Sequence, residues 1–114
     1  MKLLVYLTGL SLVFFSMSAC TQDENDDNSG TTPGPLFTQV KSVVSGNCAT
    51  SGCHASPSNA GGLNLESNDN IVAAGSMIHL KAVEQGVMPP SAPLSTENKA
   101  KISNWINAGG KLSN

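Results

Sequence analysis

The chain has 114 residues, a formal net charge of −2 and three cysteines, a length that holds at most one modest domain. The negative balance comes from Asp23, Glu24, Asp26 and Asp27; from Pro35 onward five lysines face Glu66, Asp69, Glu84 and Glu97, a balance of +1. A near-neutral remainder without a basic stripe excludes the electrostatic footprint of a nucleic-acid binder and offers little field for steering a charged partner.

In chain order, Met1 and Lys2 precede an apolar run from Leu3 to Phe15, followed by Ser16-Met17-Ser18-Ala19-Cys20. A basic start, a short hydrophobic stretch and small residues before a break predict a secretory signal over residues 1–19. Thirteen apolar residues fall short of the roughly 20 that span a hydrocarbon core. Small residues ending in Cys20 look like the lipobox of bacterial lipoproteins, with Met17 where leucine is usual. That resemblance implies lipidation of Cys20 and a chain anchored to a bacterial membrane, facing the periplasm or the cell surface. The alternative is an ordinary signal that leaves Cys20 as a free thiol. Export places the remaining cysteines, Cys48 and Cys53, in oxidising surroundings.

Residues 21–34, TQDENDDNSGTTPG, carry no large apolar side chain and read as a flexible linker. Such a segment spans roughly 20 Å on average and more with its like charges. The acidic cluster directly after Cys20 also resembles a surface-export signal of some Gram-negative lipoproteins; an ordinary solvated linker is the competing reading.

The domain over residues 35–114 reads as all-α, with about three helices and no convincing strand. Pro35 suits a helix start, and Phe37, Val40 and Val44 mark one face of a helix closed by Gly46. After the Cys48–His54 segment comes a polar loop around Gly61 and Gly62. Ser76 is the predicted cap of a second helix, with Ile78 and Ala82 on one side, ending near Gly86. Ser95 caps the last helix, Glu97 suits its positive end, Ile102, Trp105 and Ile106 form its buried face, and Gly109-Gly110 stop it. Once Tyr6, Phe14 and Phe15 leave with the signal, only Phe37 and Trp105 remain as aromatics. A domain of about 80 residues with so few large side chains calls for a staple or a cofactor.

Cys48-Ala-Thr-Ser-Gly-Cys53-His54 supplies candidate ligands. Attachment of haem c uses two cysteines followed at once by a histidine. The thiols form thioethers with the vinyl groups, and the adjacent imidazole falls beneath the iron. The usual gap between the cysteines is two residues, whereas here it is four, an expanded loop. Three other readings compete: a Cys48–Cys53 disulfide, structural zinc held with His54 and His79, or a redox-active thiol pair. Met88, in Val87-Met88-Pro89-Pro90, lies 34 residues beyond His54. Pro89 forces its backbone towards extended geometry and can aim the thioether at the far face of a haem. Met88 is alternatively a gap-filling core residue, and His79, Met77 or an open site are the other choices for a sixth ligand.

Taken together, a first helix, the Cys-Cys-His site, Gly61 to Leu65 (Gly-Gly-Leu-Asn-Leu), a short helix, Met-Pro-Pro and a last helix with Trp105-Ile106 resemble the single-haem cytochrome c domain of exported bacterial proteins. The resemblance runs from about Leu36 to Gly110. It implies a class I cytochrome c fold, whose first and last helices cross beside one covalent haem c. Cys48 and Cys53 would clamp the haem, with His54 as proximal and Met88 as distal iron ligand. The implied protein is an electron carrier rather than an enzyme. Its partners would be redox proteins and, through the lipid, a membrane.

Overall fold

The structure, a computed structural model, describes residues 32–114. The signal, Cys20 and most of the linker therefore lie outside the described residues. Those described are helical and contain no strand. None of their helices is long and apolar enough to cross a membrane.

Helix α1 (Pro35–Asn47) begins with Pro35 in its first turn, where the missing N–H costs nothing and φ is preset. Its buried stripe is Phe37, Val40, Val43 and Val44. Gly46 does not close it. The helix continues to Asn47 and ends at Cys48, whose N–H donates to the Val44 carbonyl at 2.8 Å. Gly46 is exposed, and a Cβ there would meet nothing within 4 Å. Gly46→Ala should therefore stabilise the domain by about 0.5 kcal/mol through helix propensity. A raised urea midpoint at unchanged slope is the expected result.

The stretch taken as loop contains a further helix. Ser67 accepts from the Asn70 N–H at 3.2 Å and caps α2 (Asn68–Ala73). Helix α3 (Gly75–Ile78) follows and runs on as a π-helical turn, His79–Glu84. Ser76 is thus not a cap; it lies exposed inside α3, because the apolar stripe starts earlier than Ile78. Ile71, Ala74, Ile78 and Ala82 are all buried, at helical spacings of three and four. The expected three helices become four, with a 3₁₀ turn at Ala60–Gly62.

Helix α4 (Thr96–Asn107) matches its expectation more closely. Ser95 Oγ accepts from the Asn98 N–H at 3.2 Å, and Glu97 sits in the first turn, 2.8 Å from Lys101. At the other end Gly110 N–H donates to the Trp105 carbonyl and Gly109 N–H to that of Ile106. This is a Schellman closure, and Gly109 holds the left-handed position (φ 115°).

The core forms where α1 meets α4. The Phe37 and Trp105 rings meet edge to face at 5.8 Å, both without solvent exposure. Trp105 Nε1 donates to the Lys111 carbonyl at 2.8 Å, so burial leaves no polar atom orphaned. Gly75 brings α3 against the same indole: a Cβ there would lie 2.8 Å from Trp105 Cη2. Ile106, placed on the buried face by its spacing, is only half-buried. The carboxyl-terminal residues close over the start of α1, where Gly34 N–H donates to the Leu112 carbonyl at 2.8 Å and Phe37 N–H to the Asn114 carbonyl at 3.0 Å.

Candidate functional site

Cys48 stands at the end of α1, and the loop after it folds back at once. Cys53 N–H donates to the Thr50 carbonyl and His54 N–H to the Cys48 carbonyl, each at 3.0 Å. The four intervening residues are thereby taken up in a tight turn that includes Gly52 (φ 81°). This keeps Cys53 and His54 beside Cys48 despite the longer spacing.

Two adjoining pockets, of about 240 and 200 Å³, open along this turn. Cys48, His54, Ala60, Gly61 and Met88 line both, so they form one cleft. Cys53 borders the first pocket together with Pro89 and Pro90. Leu65, Ile78 and Ala82 wall the second. Four residues singled out by sequence, Cys48, Cys53, His54 and Met88, thus face one apolar cleft of the size used for small cofactors.

On the α1 side, His54 Nδ1 lies 3.2 Å from the Leu63 carbonyl. With the ring proton on Nδ1, this bond leaves the Nε2 lone pair available as a ligand. Met88, also in the lining, is carried by the loop after the π-helical turn, where the Lys81 carbonyl accepts the N–H groups of both Val87 (3.0 Å) and Met88 (3.2 Å). Met88 is 39% exposed, which sets it apart from a packed core residue.

The competing candidates are placed elsewhere. His79 points between α4 and its own turn, with Nδ1 3.1 Å from Glu84 Oε1 and Nε2 3.3 Å from Ser103 Oγ. Met77 lines the second pocket but is 52% exposed. Among the described residues no three His, Cys, Asp or Glu side chains come together to hold a metal ion. Cys48 and Cys53 are free thiols. Burial, reinforced by the neighbouring Cys53, pushes the Cys48 thiol above its ordinary range. A redox-active cysteine is activated by the opposite shift, because the thiolate is the nucleophile.

Lys81 escaped the sequence reading, and among the described residues it is the one charged side chain lining the cleft. Its spacing of seven before Met88 carries no motif, and it sits within the π-helical turn. No protein-family model, curated protein or solved structure matches the chain.

Proposed function

We propose that this protein is a membrane-tethered monohaem cytochrome c of the class I fold that transfers electrons between redox partner proteins. The observation that carries the reading is the convergence of Cys48, Cys53, His54 and Met88 on one apolar cleft, although Met88 is 34 residues from His54 in sequence. Packing of α1 on α4 through Phe37 and Trp105 supports the fold assignment.

The residues present fit a haem c. Cys48 and Cys53 offer thiols that line the cleft, His54 offers Nε2, and Met88 offers a thioether in the same lining. Gly61, whose φ of 65° suits a residue without Cβ, leaves the floor open to a flat ring. Lys81 gives the apolar cleft one cationic edge, which suits a macrocycle bearing carboxylates. When bound, a haem supplies a one-electron couple, and His/Met ligation raises its potential. Two protein ligands leave no position for a substrate, so the protein serves as a carrier rather than an enzyme. In this reading residues 1–19 are the signal, Cys20 carries lipid, and residues 20–34 hold the domain off a bacterial membrane, in the periplasm or at the cell surface.

The direct test is a reduced pyridine-haemochrome spectrum on acid–acetone-washed protein from a host with a permissive attachment system. A c-type spectrum that survives the wash is expected. A colourless, well-folded helical protein would replace this reading with that of a haem-free module stapled by Cys48 and Cys53, whose closeness supports that second reading.

Met88 has its own test. Met88→Ala should retain covalent haem and shift the reduction potential downwards, since the soft thioether that favours the reduced iron is lost. A voltammogram identical to that of the parent would remove Met88 from the ligand set. The exposure of Met88 also supports a gas-sensing variant of the haem reading, in which the thioether leaves the iron. Carbon monoxide added to the reduced parent protein separates the two: an unchanged spectrum belongs to the carrier.

A further inference from the structure

The segment after the 3₁₀ turn runs back along the loop that carries His54 and supplies two of its partners. Leu65 N–H donates to the His54 carbonyl at 2.8 Å, and the Leu63 carbonyl faces His54 Nδ1 at 3.2 Å. Main-chain groups hold His54, so the position of residues 63–65 decides where the imidazole points.

That segment is pinned from outside the cleft. Glu66 Oε2 accepts from the Ser56 backbone N–H at 3.0 Å and from Asn64 Nδ2 at 2.7 Å. Asn64 returns the bond, its Oδ1 accepting from the Glu66 N–H at 2.9 Å, and Nδ2 also donates to Asn59 Oδ1 at 2.8 Å. Lys41 ties the clasp to α1 by donating to the Glu66 carbonyl at 2.7 Å. Neither Asn64 nor Glu66 lines the cleft. A bare carboxylate on an exposed turn would face water. This one instead takes one donor from Ser56 in the His54 loop and one from Asn64 in its own segment, and charge-assisted bonds of this kind are the stronger class.

We propose that Glu66 and Asn64 are positioning residues that clasp residues 63–66 to the His54 loop, hold the Leu63 carbonyl against His54 Nδ1, and so set the tautomer and donor strength of the imidazole. The effect on iron rests on the haem reading above; the effect on the ring proton does not. The Asn64 amide bonds lower the Glu66 pKa most, followed by the Ser56 N–H, in keeping with a carboxylate held ionised by its donors. A firm Nδ1–H···O=C bond raises the basicity of Nε2, and a more basic ligand favours oxidised iron. Loosening the clasp should therefore raise the reduction potential.

The test follows the His54 Nδ1 proton by ¹H–¹⁵N NMR in the full chain as purified, reduced if it carries haem and colourless if it does not. The parent protein should show a protected Nδ1–H. Glu66→Ala and Asn64→Ala should speed its exchange roughly tenfold, the scale of a lost local hydrogen bond. In haem-loaded protein both should move the potential upwards. Glu66→Gln, which keeps an acceptor oxygen for Ser56, should recover most of the parent behaviour. A parent protein protonated on Nε2 overturns the proposal whether or not any variant folds. So do folded alanine variants with parental His54 exchange and potential. A colourless parent with a protected Nδ1–H would sink the haem reading and leave the clasp standing.

Discussion

A Cys48→Ala, Cys53→Ala double variant is expected to keep no haem through an acid–acetone wash and to lose most of its helical circular-dichroism signal. The reason lies in how the apolar residues are shared out. Phe37, Val44, Ile102 and Trp105 are buried at the α1–α4 contact, but Leu63, Met77 and Met88 line the cleft and remain partly or largely exposed. On the haem reading a ring covers these three side chains, and without it each forgoes part of the roughly 1.5–3 kcal/mol that full burial supplies. A domain of this size has a net stability of only about 4–12 kcal/mol. Losing several such contributions at once leaves little margin. The second half, α2 to the Met88 loop, should melt first, since its packing against the Cys48–His54 turn runs through the cleft. A colourless double variant with full helical signal and a sharp thermal transition would mean that the protein core is sufficient without a cofactor.

The second large effect is at Trp105. Trp105→Ala is expected to cost about 3–5 kcal/mol, as deletion of a fully buried aromatic does. It removes the edge-to-face partner of Phe37 and the indole N–H that donates to the Lys111 carbonyl. Gly75→Ala attacks the same contact from the other side, because its Cβ would press on Cη2 and Cζ3 of the ring at 2.8 and 3.0 Å. The ring is held on three sides and cannot swing away, so about 1–3 kcal/mol is expected from overpacking. Denaturant melts of the two single variants and the double variant would show strong non-additivity, since removing Trp105 relieves the clash. Additive losses would mean that the Gly75 effect arises somewhere other than the indole.

These results bear on what the sequence made legible. Cys48, Cys53 and His54 stood out because their chemistry depends on adjacency, and Met88 because Pro89 follows it. The long helices announced themselves through strong caps and apolar spacing, as at Ser95 and along Phe37, Val40 and Val44. Helix α2 was missed because Asn68, Asp69 and Asn70 are turn-forming residues, and only Ser67 and the continuation of the Ile71–Ala82 stripe betray it. Lys81 and Leu63 were out of reach for a different reason. One enters the cleft through a π-helical turn that no residue pattern encodes, and the other acts through a carbonyl that every residue possesses.

The closure of the carboxyl-terminal residues over the start of α1 has a mechanical consequence. Any pull arriving from residues before Gly34 is taken first by the Leu112 and Asn114 carbonyls, at one end of α1. Cys48 is at the other end, thirteen helical residues and about 20 Å away. A load on Gly34 is thus spent on a hydrogen-bonded buckle and along a rigid rod, and the cleft is insulated from it.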